Sequence, residues 1–262
     1  MSLPRLIATD LDGTLVGRDG VISRHSAKIL AQASAAGAEV VLVTGRPLRW
    51  VPVAYEQLDA GYLTICANGA VTYDPATDTV LDSRPLPPNL LADVATKLAT
   101  AIPGMTFAAE IDDGRRMVHE PRYPVAFEDG SRELPLAEVV ARPAVKLLGS
   151  ATDHTADELA ALVVTAVAHR IEATHSSWIG MVEMSARGVT KGAALAAVAG
   201  RLGIDAADVL AFGDMPNDVT MLRWAGWAVV VANAHPAARE LADAVTLSNA
   251  DDGVAEYLEG LL

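Results

Sequence analysis

The amino-acid sequence predicts an α/β protein, a Rossmann-like doubly wound parallel sheet that carries an inserted second α/β layer. Short apolar runs of strand length alternate with helical segments in residues 1–83 and again in residues 187–262. Residues 84–186 follow another pattern, a helix and then paired strands, which occurs twice. Strands that alternate with helices form parallel sheets through right-handed crossovers. We therefore expect a core in two sequence parts, 1–83 and 187–262, with an inserted lid between them.

Composition excludes several classes of protein. The chain has 262 residues, half of them apolar, and a net charge of −13. Such an acidic surface repels phosphate backbones and anionic membranes, so we expect neither nucleic-acid nor membrane partners. No apolar stretch reaches the ~18 residues of a membrane span. The first strand begins within five residues, which leaves no room for a signal peptide, so we expect a cytoplasmic location. The sequence leaves the oligomeric state open between a monomer and a small homo-oligomer.

The single cysteine, Cys66, excludes an internal disulfide and a zinc site built on cysteines. It lies in an apolar strand, where a lone cysteine acts as a small core residue.

The first predicted strand ends in two carboxylates. The apolar run Leu6-Ile7-Ala8 leads into Asp10 and Asp12, which are two residues apart. Side chains two apart on a strand share a face and lie roughly 6.5–7 Å from each other. Like charges at the edge of a core repel each other unless a cation or a shared proton holds them. This pair therefore predicts a divalent metal site.

The rest of the first core part continues the alternation. The predicted elements are a flap at 16–22, a helix from its N-cap Ser23 to Ala36, a strand at 39–43, a helix at 47–58, a strand at 63–66 and a hairpin at 71–81. Asn68-Gly69, after the third strand, is either a simple turn or a border of the site.

The inserted section is predicted as a lid with one sheet face open. Its elements are a helix at 89–101, strands at 105–110 and 115–119, an irregular stretch at 120–143, a strand at 145–149, a helix at 154–169, and strands at 171–176 and 179–184. The turn from Glu110 to Arg116 is expected to be a solvated hairpin tip. His175 and Trp178 lie where a lid could touch a ligand.

Alternation resumes at about residue 188. The predicted elements are an Ala-rich helix from Lys191 to Leu202, a strand at 208–212, a helix at 217–225, a strand at 227–231, a helix at 236–242 and a short strand at 245–247. Gly203 suits the position that follows a helix C-terminus.

Three predicted strands end in polar clusters. These are Asp10-Leu11-Asp12-Gly13-Thr14, Thr44-Gly45-Arg46 and the Gly-Asp-Met-Pro-Asn-Asp run of residues 213–218. Lys191 opens a helix between the second and third clusters. Because the carboxyl ends of parallel strands share one edge, these groups converge there. Several carboxylates, a lysine and helix N-termini suit Mg²⁺ and a phosphoryl group.

This ordered set of four motifs is similar to that of the haloacid dehalogenase superfamily. The long insertion between the second and third motifs resembles the type IIB cap of the Cof-like phosphatases. One position departs from the pattern, since Met215 stands where a small residue is common. We expect a flexible Met pointing off the loop to be tolerated there.

The resemblance implies a role for each motif residue. Asp10 is the implied nucleophile, and Asp12 protonates the leaving oxygen and later takes a proton from water. The implied phosphate- and substrate-binding residues are Leu11, Thr44, Gly45, Arg46, Lys191 and Asn217. The implied metal ligands are Asp10, the backbone carbonyl of Asp12, Asp214 and, as a ligand or as a supporting partner, Asp218. Arg46 either touches substrate or pairs with a core carboxylate.

The implied function is an Mg²⁺-dependent phosphomonoester hydrolase that acts through an aspartyl-phosphate on small phosphorylated metabolites, with sugar phosphates as the leading class. Two alternatives stay open. A sugar phosphomutase resembles the same cap type but extends the fourth motif around Gly-Gly-Asn-Asp, whereas residues 213–218 have the compact form. A non-catalytic sugar-phosphate-binding protein would be favoured by loss of Asp10 or Asp12, and both are present.

Overall fold

The computed structural model describes residues 3–58, 60–125, 130–167, 170–177 and 179–262. Within these ranges the strands form one eight-stranded sheet and one six-stranded sheet. The predicted α/β class with a parallel core sheet is confirmed. Among the described residues, no helix is both long and apolar enough to cross a bilayer.

Residues before 84 supply the first core part. Its elements are β1 (Leu6–Thr9), α1 (Arg24–Ala35), β2 (Glu39–Val43), α2 (Pro52–Leu58), β3 (Leu63–Cys66), β4 (Val71–Asp74) and β5 (Thr79–Ser83). The Ser23 hydroxyl caps α1 by accepting from the Ser26 N–H at 2.9 Å. The predicted helix at 47–58 is wrong in its first half, which is a 3₁₀ turn (Leu48–Trp50). Pro52 has no N–H to continue that turn and instead opens α2.

The inserted section is built from three helices and six strands of the described residues. They are α3 (Pro88–Ala101), β6 (Thr106–Ile111), β7 (Arg116–His119), β8 (Arg132–Glu133), α4 (Leu136–Val139), β9 (Ala144–Thr155), α5 (Ala156–Val167), β10 (Ile171–Thr174) and β11 (Ile179–Ala186). The stretch predicted as irregular contains β8 and α4. Strand β9 is longer than predicted because β6 and β11 pair with its two edges. Residues 168–169 of the predicted fifth helix lie outside the described residues.

The second core part follows β11. Its elements are α6 (Lys191–Leu202), β12 (Val209–Gly213), α7 (Val219–Trp224), β13 (Trp227–Val230), α8 (Pro236–Arg239), β14 (Ala244–Val245) and α9 (Gly253–Glu259). The helix predicted at 217–225 starts as a 3₁₀ turn (Pro216–Asp218), and the helix predicted at 236–242 ends at Arg239. The C-terminal helix α9 was not predicted, although it buries Val254, Ala255 and Leu258.

The large sheet has the strand order β14-β13-β12-β1-β2-β3-β4-β5. Pairing is parallel from β14 to β3, and β4 and β5 add an antiparallel edge. Strand β1 is central, between β12 and β2, and Leu6 and Ile7 within it are fully buried. The ends of these three strands therefore lie side by side at one edge.

The small sheet has the order β10-β11-β9-β6-β7-β8. One of its faces packs on α3 and α5 through residues such as Phe107 and Leu147. The connections from β5 to α3 and from β11 to α6 join the two sheets. The domain division into 1–83, 84–186 and 187–262 stays a prediction.

Candidate active site

The polar residues that follow β1, β2 and β12 lie together, as the parallel topology predicts. Thr9, the last residue of β1, pairs with Phe212 of β12 and with Leu42 of β2. The next residue, Asp10, donates its N–H to the Phe212 carbonyl at 3.0 Å. Its carboxylate is therefore held between the two neighbouring loops.

Lys191, the first residue of α6, joins two of these loops. Its Nζ donates to Asp10 Oδ1 at 2.5 Å and to Asp218 Oδ1 at 2.6 Å, and it is fully buried. A Cβ at Gly69 would lie 2.3 Å from the Thr190 carbonyl oxygen. Glycine at position 69 therefore lets the start of α6 approach the loop after β3.

Burial and like charge shift the pKa values of this group. Burial raises the pKa of Asp10 well above its usual range, and Asp218 and Asp214 raise it further while Lys191 opposes the rise. Burial and the Asp218 charge raise the pKa of Asp214 to about 7. Burial alone would lower the pKa of Lys191, but Asp10 and Asp218 outweigh it and the pKa is raised. Ionisation of all these carboxylates is therefore unfavourable, because Lys191 balances only one of their charges.

The donor set fits a divalent metal. One oxygen each from Asp10, Asp214 and Asp218 lies within 4.8 Å of the other two, and all three residues are buried. Carboxylate oxygens are the ligands that Mg²⁺ prefers. Three ionised carboxylates beside one ammonium leave an excess of two negative charges, which a divalent cation would balance.

Asp218 is bonded to the protein through both of its oxygens. Oδ2 accepts the N–H groups of Asp214 at 2.9 Å and Met215 at 3.0 Å, and Oδ1 accepts from Lys191. These bonds shape the loop that presents Asp214. Of the two roles left open by the sequence, the geometry favours support of the metal site.

Gly13 makes room for Asp214. Its φ is +85°, and a Cβ at this position would lie 2.3 Å from Asp214 Oδ2. The neighbouring Thr14 hydroxyl donates to Asp214 Oδ1 at 2.9 Å. The turn after β1 therefore positions the carboxylate of Asp214, which lies 200 residues after Thr14 in the sequence.

Arg46 pairs with Asp12 rather than with a buried core carboxylate. Its Nε and Nη2 donate to the two carboxylate oxygens at 2.8 and 2.6 Å, while the Asp12 side chain remains 53% exposed. The Arg46 N–H donates to the hydroxyl of the buried Thr44 at 3.0 Å. The Leu11 side chain is fully buried in the core, so the main chain of Leu11 is what can face a phosphate.

Asn68 borders the site and sits on a strained turn. Ala67, Asn68 and Gly69 have φ values of 49°, 59° and 103° in succession. For residues other than glycine such values cost about 1–2 kcal/mol each. The turn brings Asn68 Oδ1 to Asn217 Nδ2 at 3.0 Å, and Asn217 Oδ1 is a fully buried atom without a hydrogen-bond partner among the described residues.

The inserted section reaches the same edge through two charged side chains. Lys146 Nζ donates to the Gly45 carbonyl at 2.6 Å and lies 3.4 Å from Glu183 Oε1. The other Glu183 oxygen accepts from Asn68 Nδ2. Lys146 and Glu183 are buried, so the small sheet is fastened directly over the phosphate-binding loops predicted from the sequence.

A cavity of about 300 Å³ lies between the sheet edge and the small sheet. Asp10, Asp12 and Asn217 line its core side, and Lys146 and Glu183 line its opposite side.

The match to a family model decides the identity of this fold. Residues 7–258 match the model described as haloacid dehalogenase-like hydrolase. The chain belongs to this family. The resemblance drawn from the four motifs is thereby confirmed.

This haloacid dehalogenase-like hydrolase is similar to named phosphatases. It is 28% identical over 271 residues to pyridoxal phosphate phosphatase YbhA of Escherichia coli, with 97% of each chain covered. It is also 28% identical over 269 residues to 5-amino-6-(5-phospho-D-ribitylamino)uracil phosphatase YitU of Bacillus subtilis, covering 98% of this chain and 97% of the relative. These relatives confirm the expectation of a phosphatase of this family.

Solved structures share the architecture of the hydrolase. TM0651 from Thermotoga maritima superposes with a TM-score of 0.78 at 28% identity, covering 100% of this chain and 98% of its own. The subclass IIB sugar phosphatase BT4131 superposes with a TM-score of 0.83 at 19% identity, covering 98% of this chain and 100% of its own, which shows the fold alone.

One expectation for the hydrolase's inserted section needs correction. Glu110 is not part of a solvated hairpin tip, because it is 1% exposed and forms an ion pair with Arg49. The alternation along β6 turns it toward the large sheet. His175 contacts Asp157 at 2.9 Å and is not among the described residues that line the cavity. Trp178 lies outside the described residues.

Lys146 and Glu183 were not among the site residues predicted from the sequence. Each is a charged residue inside an apolar strand segment, in Val145-Lys146-Leu147 and Val182-Glu183-Met184. A buried charge without a partner is costly, so this pattern is a usable signal for a paired charge or a site. Their positions relative to the core loops depend on tertiary packing.

Proposed function

We propose that the protein is an Mg²⁺-dependent phosphomonoester hydrolase that acts on small phosphorylated metabolites through an aspartyl-phosphate at Asp10. The observation that carries the proposal is a buried cluster in which Lys191 pairs with Asp10 and Asp218, Asp214 lies beside these two carboxylates, and Asp10 faces the cavity. Positioning and charge neutralisation are the main requirements of phosphoryl transfer, and this cluster supplies both.

The metal site proposed here consists of the carboxylates of Asp10 and Asp214 and the backbone carbonyl of Asp12. Asp218 supports it through the N–H groups of Asp214 and Met215. When bound, Mg²⁺ supplies charge neutralisation and alignment of the phosphoryl group.

Asp10 and Asp12 carry the covalent chemistry in this proposal. A carboxylate oxygen of Asp10 forms the bond to phosphorus as the bond from phosphorus to the leaving oxygen breaks. Asp12 gives its proton to that leaving oxygen and then takes one from the water that hydrolyses the aspartyl-phosphate. Lys191 opposes the effect of burial on Asp10 and so favours its ionised, nucleophilic form.

Phosphate binding is assigned to the groups that converge beside Asp10. Thr44, the N–H groups of Leu11 and Gly45, the Lys191 ammonium and Asn217 are the proposed contacts. The paired guanidinium of Arg46 holds Asp12 in place at the cavity wall. Sugar phosphates as substrates, a cytoplasmic location and a monomer or small homo-oligomer stay predictions.

The test is phosphate release from a broad panel of phosphorylated metabolites, with Mg²⁺ and with EDTA. We expect turnover that requires Mg²⁺ and that Asp10→Asn abolishes, while Asp10→Asn keeps the wild-type circular dichroism spectrum. A sugar 1-phosphate that yields the 6-phosphate instead of free sugar would establish the mutase. Saturable binding of a sugar phosphate without any turnover would establish the binding protein.

A further inference from the structure

The face of the small sheet that looks into the cavity carries an apolar patch beside the charged residues Glu110, Lys146 and Glu183. Side chains alternate along β6 and β9, so Phe107 and Leu147 face the helices while Ala108 and Leu148 face the opposite side. Ala108 and Leu148 are direct cross-strand partners. They form one apolar cluster with Met117, Tyr123 and Met181, separate from the hydrophobic core of the inserted section. All of this cluster except Ala108 lines the cavity.

The charged groups in the cavity wall already have protein partners. Arg46 pairs with Asp12, and Lys146 pairs with Glu183 and contacts the Gly45 carbonyl. Glu110 pairs with Arg49, which itself does not line the cavity. Asn217 Oδ1, the fully buried atom without a partner among the described residues, lies on the core side.

This arrangement discriminates between leaving groups. A sugar brings several hydroxyl groups into the cavity, and each one that lies against the apolar patch loses water without an equivalent partner there, which is unfavourable. An apolar ring loses no hydrogen bonds there and gains burial. The cavity volume of about 300 Å³ lies at the lower end of the range for small-molecule sites, which suits a small ring.

We propose that the cavity selects phosphate monoesters whose leaving alcohol carries an apolar ring, and that Leu148 and Met181 set this preference. The inference rests on the proposed phosphatase function, and it names a substrate class different from the sugar phosphates that the sequence led us to expect.

The first test compares cyclohexylmethyl phosphate with glucose 6-phosphate. Both carry a six-membered ring on a phosphorylated CH₂ group, so they differ chiefly in hydroxyl groups while the leaving alcohol is primary in each. We expect kcat/KM to be about 100-fold higher for cyclohexylmethyl phosphate, in line with the discrimination apolar pockets achieve. Equal values, or a preference for glucose 6-phosphate, would overturn the proposal.

Two near-isosteric variants test the residues. We expect Met181→Gln and Leu148→Asn each to lower the ratio of kcat/KM for cyclohexylmethyl phosphate to kcat/KM for glucose 6-phosphate about 10-fold. Leu162→Gln is the control, because Leu162 is 40% exposed on α5 and does not line the cavity. An unchanged ratio of the two substrates in both cavity variants would remove the assignment to these residues.

Calorimetry with Asp10→Asn separates this proposal from the proposed function. We expect the heat-capacity change on binding to this variant to be more negative for cyclohexylmethyl phosphate than for glucose 6-phosphate, because burial of apolar surface makes this change negative. If the wild type hydrolyses no ester but this difference is present, the phosphatase function fails and the cavity preference stands. If hydrolysis occurs and the difference is absent or reversed, only the preference fails.

Discussion

Two clusters of buried charge meet at this cavity, and they differ in charge balance. The carboxylate cluster consists of Asp10, Asp214, Asp218 and Lys191, so three acids face one base. Burial raises the pKa of Asp10 well above its usual range and that of Asp214 to about 7. Ionising the whole cluster is therefore unfavourable by itself, and a bound cation would offset this cost.

The cap–core cluster consists of Gly45, Asn68, Lys146 and Glu183, with one acid and one base. Lys146 contacts the Gly45 carbonyl as well as Glu183, and Glu183 also accepts from Asn68. Charge is balanced within the protein, and the bonds connect the two sheets. The comparison indicates that a buried cluster with excess charge of one sign is suited to bind a ligand, whereas a charge-balanced cluster connects parts of the protein. Each of the following predictions tests one side of this contrast.

The largest effect is expected for Asp10→Asn. Loss of the proposed nucleophile should lower kcat by about 10⁴- to 10⁶-fold, as removal of a nucleophile does in other enzymes. The same change removes a buried carboxylate whose ionisation is unfavourable, so the melting temperature of the metal-free protein at pH 7.5 should rise. Phosphate release and thermal unfolding check the two parts. A fall in both activity and stability would mean that the carboxylate is structural.

Lys146→Met should reduce stability most among changes in the cap–core cluster. It leaves Glu183 buried without its cation, and breaking such a pair from one side costs about 3–5 kcal/mol. The control is the double variant Lys146→Met/Glu183→Gln, which removes both charges and should cost less than the sum of the single changes. Urea unfolding measures these free energies. Strict additivity would show that the two side chains are not coupled.

Metal binding should stabilise the carboxylate cluster and leave the cap–core cluster unaffected. At a Mg²⁺ concentration about 100 times the Kd, the free energy of unfolding should rise by about 2.7 kcal/mol. Asp214→Asn should lose most of this increase, because it removes a proposed ligand. Lys146→Met should keep it. Melting curves with Mg²⁺ and with EDTA provide the measurement, and an equal Mg²⁺ response in wild type and Asp214→Asn would exclude Asp214 as a ligand.

The carboxylate cluster could be predicted from sequence because its members stand at strand and helix ends. Asp10 follows β1, Asp214 follows β12 and Lys191 opens α6, so the parallel topology alone brings them to one edge. The sequence did not determine which side chains pair with each other at this edge, such as Arg46 with Asp12.

The cap–core cluster could not be placed in the same way. Alternation along β9 shows that Lys146 and Leu147 face opposite sides, but nothing local shows that Gly45 lies opposite Lys146. That contact spans about a hundred residues of chain and depends on how the two sheets pack. The charged residue in an apolar strand indicates that a partner exists without identifying it. Helix bounds near Pro52 and Arg239 were missed for a simpler reason, because short 3₁₀ turns and helices have weak periodicity.

The most gradual effect is expected in the pH dependence of the metal-free protein. Because the pKa of Asp214 is about 7 in the folded state and the unfolded chain titrates near 4, the folded state keeps a proton that the unfolded chain releases between those values. The free energy of unfolding should therefore fall by about 3 kcal/mol as pH rises from 4 to 7. Asp10, whose pKa is raised mainly by burial, acts in the same direction. Urea unfolding in EDTA at several pH values should show this fall, with a shallower slope in Asp214→Asn. If the free energy of unfolding instead rises with pH over this interval, or if its slope is the same in Asp214→Asn, then these carboxylates do not carry unbalanced negative charge.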